Sequence, residues 1–403
     1  MARLDPEVGL INPRLTYREY LVEWLEGKKG LKSWSDYRRI VHLYGIPGLG
    51  HIKLKDLTPI HFVELAKEIR RINRGLVERE QSEMFKRLMA ARADRDPESG
   101  EKYSTRPIGL SRLKKIIAVL RSSMTFLVQA GVLEKNPATN LPIPQPKKQK
   151  PLLWTEGRIA HWRATGVKPA KIMVWTPEQT GAFLDATRQH RLHPLYHLVL
   201  LTGLRRSEVI GLRWREVDLH QGLMTIREVV TADSLAREED WFDDEDDEDL
   251  WEEPELDRLG TKSVAGERQV TLSQFTIDVL RAWKRTQSLE RLAAGAKWID
   301  EDFVFTTPDG RGLHPGTLTT VTTQLITRLD MAPISFHGMR HSAATAAMRA
   351  GVPMKVISEN LGHARVSTTM DLYTRVVPEA QKLAAEATEA VIPRKGRQIR
   401  DAQ

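Results

Sequence analysis

Five short segments of this 403-residue chain carry side chains that could do chemistry together. Leu201-Thr-Gly-Leu-Arg-Arg-Ser-Glu208 reads as a helix closed by Gly203 and another opened at once. Arg205 then stands near a helix N-terminus, with Glu208 one turn on and able to orient it. Gly260-Thr-Lys-Ser263 presents Lys262 on the way into a strand at Arg268. His337-Gly-Met-Arg340 opens a helix, and a spacing of three puts both side chains on one face. Leu361-Gly-His363 is followed ten residues later by Asp371-Leu-Tyr373-Thr. Guanidinium forks give paired donors to anionic oxygens. A tyrosine hydroxyl, with a reference pKa near 10, becomes a nucleophile only beside a base or a strongly cationic group.

Singly, each segment is ordinary. Arg205 alone reads as a solvated helix residue, Lys262 as a loop lysine, and Tyr373 as half-buried packing. His337 and His341 stand four apart like a zinc pair, but residue 338 is Gly where a metalloprotease needs Glu. The chain has no cysteine, which removes disulfides, thiolate zinc sites and cysteine nucleophiles. A metal-dependent transposase would need dispersed catalytic carboxylates, whereas the densest run of acids here, 14 within Glu238–Asp257, lies in one stretch. The meaning lies in the conjunction.

Taken in order, Thr202-Gly-Leu-Arg205-x-x-Glu208, Thr261-Lys262, His337-x-x-Arg340, Leu361-Gly-His363 and Tyr373 resemble the tyrosine recombinase family, the phage-integrase-like site-specific recombinases. The resemblance covers most of residues 15–390. It implies a DNA strand transferase, independent of metal, ATP and other cofactors, that works through a covalent 3′-phosphotyrosine. Tyr373 is then the nucleophile, helped by His337, and Lys262 the general acid on the departing 5′-oxygen. Arg205, Arg340 and His363 hold the scissile phosphate, and Glu208 supports Arg205 or His337. The absence of a G-x-x-x-x-G-K-[ST] loop agrees with ATP-free rejoining. The implied partners are double-stranded DNA at attachment or core sites, further copies of the chain (a tetramer in the synaptic complex), and accessory DNA-bending or directionality proteins. Two other readings are a type IB topoisomerase and a non-catalytic DNA-binding regulator. The two-domain plan and Leu-Gly-His favour recombination over the first, and the intact residue set speaks against the second.

The elements that must position these residues divide in two. The first half reads as helices: one capped by Thr16 with Glu19, one from Ser33 that ends before the glycines at 45, 48 and 50, one opened by Thr58-Pro59, and one over 111–130 closed by Gly131. Arg92–Arg106 reads as a polar loop. This half is expected as a core-binding domain over 15–140. Prolines and lysines mark a basic linker over 141–172, interrupted by a short helix around Thr155–Thr165. An α+β catalytic domain is expected over 173–393, opened by Thr176-Pro177-Glu178. Strands are read at Leu223–Val230, Arg268–Leu272 and Phe303–Thr306, and helices at 193–202, 206–213, 273–294, 315–329 and 337–350. The fold class is mainly α with a small antiparallel β-sheet.

Net charge is +8, but Glu238–Asp257 holds 14 acids and no Lys or Arg, which leaves 61 basic against 39 acidic residues, or +22, on the rest. Such a surplus favours a polyanionic partner. The acidic stretch lies in an insertion over 232–259 whose composition argues disorder. Residues 378–391 are Ala-rich with a helical pattern suited to exchange between neighbouring copies. The helical pattern begins almost at Thr16, without the small arm-binding domain that many phage and plasmid integrases carry. Either the protein works without arm sites or that region was lost. No stretch is long and apolar enough for a membrane, the first ten residues lack a signal-peptide core, and a cytoplasmic, nucleoid-associated protein is expected.

Overall fold

Thr16 caps the first helix, α1 (Tyr17–Glu26), through the box expected from sequence: its backbone N–H donates to the Glu19 carboxylate at 2.8 Å, and the Glu19 N–H donates to its hydroxyl at 3.3 Å. The computed structural model describes residues 14–31, 33–72, 80–93, 108–144, 151–227, 267–363 and 366–373. The side chains of residues 368 and 371–373 are not among what is described. Lys262 and Thr261, the insertion over 232–259, the end of the expected strand at 228–230, most of the Arg92–Arg106 loop and the expected helix over 378–391 lie outside the described residues. The chain divides into two compact units, with the boundary after Lys147.

In the first unit α1 buries Tyr17, Tyr20, Leu21, Trp24 and Leu25. Ser123 ties it to a later helix: the Tyr17 and Ser123 hydroxyls lie 2.8 Å apart, and the Tyr20 hydroxyl donates to the Ser123 carbonyl at 2.7 Å. The second helix, α2 (Trp34–Ile40), does not stop before Gly45. It continues through a π-helical turn at Val41–Gly45 into α3 (Ile46–Leu49). Those glycines serve packing: a Cβ on Gly48 would meet Leu65 at 2.5 Å, and one on Gly45 would meet Leu120 at 3.0 Å. Asp36 in the first turn of α2 pairs with Arg112 at 3.3 Å and with Lys115. Pro59–Arg71 forms α4 and Leu110–Gln129 forms α6. Between them lies α5 (Glu83–Ala93), a helix the sequence reading did not identify. Phe85 and Leu88 bury it, and Arg92 donates to the Tyr44 hydroxyl at 2.6 Å.

In the second unit, much of the segment read as linker is packed structure. Leu152–Leu153 (β1) pairs in parallel with Met173–Val174 (β2), and α7 (Glu156–Thr165) lies between them. Trp154 and Trp175 anchor both ends of the segment. Each is fully buried, and their indole N–H groups donate to the carbonyls of Pro333 and Ala332 at 3.1 and 2.7 Å. Thr176 then caps α8 (Pro177–Ala186) in a box with Gln179. After α9 (His193–Thr202) and α10 (Arg206–Gly211) comes a three-stranded antiparallel sheet in the order β3 (Val217–Asp218), β4 (Leu223–Ile226), β5 (Arg268–Thr271). Ile226 is in register with Arg268.

The expected strand at Phe303–Thr306 is corrected. It makes only isolated bridges, Arg213 to Phe303 and Thr306 to Gly312, and Val217–Asp218 is the third strand. Its carbonyls go to side chains instead of a ladder: Trp283 Nε1 donates to Val304 O at 2.6 Å, and Gln287 Nε2 to Phe303 O at 3.1 Å. The remaining helices are α11 (Gln274–Ala294), α12 (Pro315–Arg328), α13 (Phe336–Arg349), α14 (Met354–Leu361) and α15 (Val366–Tyr373). The core gathers around α9, α11, α13 and the sheet. Among the described residues no helix is long and apolar enough to cross a membrane.

Candidate active site

Two left-handed glycines bring the site together. Gly203 ends α9 at φ 70° and Gly362 ends α14 at φ 66°. Both are also tightly packed: a Cβ on Gly203 would stand 2.6 Å from Leu361, and one on Gly362 would stand 2.7 Å from Arg268 Nη1. A side chain at either turn would strain the backbone and force Leu361 or Arg268 to shift.

Arg340, only 2% exposed, lies between these turns. Its Nη1 donates to Gly203 O and its Nη2 to Leu361 O, each at 2.7 Å. Arg205 stands at the N-cap of α10. Its backbone N–H donates to Glu208 Oε2 at 2.8 Å, its Nη1 to Glu208 Oε1 at 2.9 Å, and its Nη2 to Gly362 O at 3.1 Å. Arg205 and Arg340 thus hold the Leu361–His363 segment from two sides. The Arg205 side chain keeps 24% exposure.

Glu208 is 4% exposed and accepts a second fork from Arg268, Nη1 to Oε1 at 2.9 Å and Nη2 to Oε2 at 2.8 Å. Burial by itself would raise its pKa, but the hydrogen bonds and charge of Arg268, with the charges of Arg205 and Arg340, bring it down to about 2. It is therefore an anion at any ordinary pH. One carboxylate against three guanidiniums leaves a surplus of positive charge, as an anionic ligand requires.

The histidines respond to that charge. His363 is held down to about 3 by burial and then by Arg340 and Arg205. Its Nδ1 lies 2.7 Å from the Thr369 hydroxyl on α15. His341 is lowered to about 3 by burial and Arg340, and His337 is lowered well below the ordinary imidazole value by burial, then by His341, Arg340, Arg205 and His363. The His337 and His341 rings meet edge to face with centroids 4.5 Å apart. Burial and the neighbouring guanidiniums keep these imidazoles uncharged at neutral pH. Among the described residues no group of three or more His, Cys, Asp or Glu is placed to hold a metal ion.

Of the residues singled out from sequence, Arg205, Glu208, His337, Arg340 and His363 come together here. Tyr373 ends α15, with its side chain outside the description, and Lys262 lies outside the described residues. Sequence reasoning missed Arg268 and Thr369. Nothing in the pattern around Arg268 separates it from a surface strand residue. Thr369 stands four before Tyr373, a spacing that puts the two positions on one face of a helix, and that signal was present in the sequence.

A family match fits this architecture. Residues 174–380, just over half of the chain, match the phage integrase family, and the chain belongs to it. This is the family that the motif series resembles. A XerC-like tyrosine recombinase of Caldanaerobacter subterraneus subsp. tengcongensis is 26% identical over 277 residues, covering 68% of this chain and 64% of that protein. The ICEBs1 integrase of Bacillus subtilis is 23% identical over 291 residues, covering 70% of this chain and 67% of that protein. Among solved structures, the integrase of transposon Tn1549 in complex with transposon right-end DNA superposes with a TM-score of 0.59 at 14% identity, over 93% of this chain and all of that one. That likeness is one of fold: a helical chain with small sheets.

Proposed function

We propose that this chain is a site-specific recombinase that cleaves and rejoins DNA through a 3′-phosphotyrosine, in the integration or excision of a mobile element. The observation that carries the reading is the convergence of Arg205 and Arg340 on the Leu361-Gly-His363 segment, which the Thr369 hydrogen bond joins to the helix ending at Tyr373. Family membership and the name of the ICEBs1 integrase add support.

The chemistry follows from charge. Phosphodiester oxygens repel an incoming nucleophile, and fixed cations must neutralise the pentavalent transition state. Arg205 and Arg340 serve the nonbridging oxygens, each donor worth about a hundred- to a thousand-fold. Glu208 holds Arg205 in aim, and His363 hydrogen-bonds the phosphate. The Tyr373 oxygen attacks phosphorus while its proton passes to uncharged His337. The bond from phosphorus to the 5′-oxygen breaks, and Lys262 protonates that oxygen. Reversal with another strand's 5′-hydroxyl rejoins DNA without ATP, because the phosphotyrosine conserves the bond. Strand exchange requires two duplexes and four sites, so the working form is a tetramer on DNA, with accessory DNA-bending proteins setting direction. The absence of cysteine suits a cytoplasmic setting.

The test is a nicked attachment-site duplex from the element's own ends, incubated with protein in excess chelator and without ATP. Covalent adducts and joined strands are expected. Relaxation of plasmids lacking the site, without strand exchange, would mean topoisomerase chemistry. DNA binding with no adduct would contradict the reading.

A further inference from the structure

Arg268 opens β5 and takes no part in the roles assigned above. Its side chain is only 9% exposed, and all three of its guanidinium nitrogens donate: Nη1 and Nη2 to the two Glu208 oxygens, and Nε to Asn360 O at 2.8 Å. The same guanidinium lies so close to Gly362 that a Cβ there would stand 2.7 Å from its Nη1 and displace it. One planar group therefore fixes a carboxylate on α10 and the turn that ends α14. Glu208 in turn holds both the main chain and the guanidinium of Arg205. Were Arg205 the sole partner of Glu208, the carboxylate would cancel the charge that Arg205 must offer a phosphate. With Arg268 forked onto it, that negative charge is already taken up.

Resting on the reading that Arg205 binds the scissile phosphate, we propose that Arg268 is a positioning residue for strand cleavage. It clamps Glu208 and the Asn360–Gly362 turn together, aims Arg205, and leaves Arg205 its positive charge. A misplacement of about 1 Å at such a group costs on the order of a hundred-fold in rate.

Cleavage of the nicked duplex is measured by covalent adduct formation, alongside half-site binding, for the unmutated protein, Arg268→Met, Arg268→Lys, Glu208→Gln and the double variant Glu208→Gln/Arg268→Met. The double variant removes both members of the pair, so neither is left without the other. Arg268→Met should cleave about ten- to a hundred-fold more slowly with half-site binding kept, and Arg268→Lys should recover part of the loss by restoring the charge. The double variant should lose less than the product of the two single losses, because part of what Arg268 does passes through Glu208.

A second readout is pH. Glu208 is faced by Arg205 from the start of α10, Arg268 from β5 and Arg340 from α13, with His363, His341 and His337 in the same field. Without Arg268 its carboxyl titrates higher, so Arg268→Met should lose rate on acidification from about pH 7 to 5, where the unmutated rate changes less. Multiplicative losses in the double variant, or unchanged cleavage by Arg268→Met, would overturn the proposal while leaving the recombinase reading intact. No adduct from the unmutated protein would instead overturn the reading beneath it.

Discussion

The Nδ1 of His363 lies 2.7 Å from the hydroxyl of Thr369, a side chain with no exposed surface. This bond joins the turn that carries His363 to α15, four residues before that helix ends at Tyr373. It links the group proposed to bind the phosphate with the helix that ends at the proposed nucleophile.

Thr369→Val keeps the shape and removes the bond. A hydrogen bond of this kind contributes about 0.5–1.5 kcal/mol net, so adduct formation should slow roughly two- to tenfold. Half-site affinity should not change. Gel quantification of adducts checks this, and a wild-type rate would detach His363 from α15 functionally.

Acid should destabilise the second unit well before its carboxylates titrate. His341 and His363 are held to about 3 and His197 to about 4, in each case first by burial. The unfolded chain takes up these protons near 6.5 and the folded chain does not, so the stability present above that value drains away as pH falls toward 3–4. Glu208 acts in the same direction at lower pH, between its ordinary 4.5 and about 2. Thermal melts should show a lower Tm at about pH 5 than at about pH 7. A level or rising Tm would mean that these imidazoles are charged in the fold.

Lys262 is assigned from the motif order alone. Lys262→Ala should cleave ordinary DNA slowly, by about a hundred- to ten-thousand-fold, the range of general acid catalysis. It should recover on DNA with sulfur at the bridging 5′ position, because a thiolate leaves without a proton. Absence of recovery removes Lys262 from the acid role.

What was legible in the sequence was local. The box at Thr16–Glu19, the helix opened by Thr176-Pro177-Glu178, the glycine stops at 131 and 203, and the spacing of Arg205 with Glu208 each involve residues within one or two turns. What was missed depends on distant partners. Gly45 and Gly48 sit inside helical turns because Leu120 and Leu65 press against them. Phe303–Thr306 has strand-like residue types, but Trp283 and Gln287 take its carbonyls. The segment over 151–175 has a linker's prolines and lysines, and is held by two tryptophans whose partners are 157 and 179 residues away. Arg268 matters through a carboxylate 60 positions earlier, a relation no spacing pattern encodes.

Assembly has its own test. Residues 378–391 are assigned to contacts between copies, so deletion from residue 378 onward should leave monomer binding to a half-site unchanged and reduce the tetrameric complex on paired sites. Native gels or light scattering distinguish the two species. An unchanged tetramer yield would move the contact elsewhere.

Tyr373 is proposed to form the covalent bond to DNA. Tyr373→Phe removes one oxygen from the end of α15 and leaves the cationic cluster untouched. On the nicked substrate in excess chelator, this variant should bind the site with unchanged affinity and form no adduct, while the unmutated protein yields a phosphotyrosine peptide containing residue 373. Adducts from Tyr373→Phe, or a labelled peptide from any other part of the chain, would contradict it.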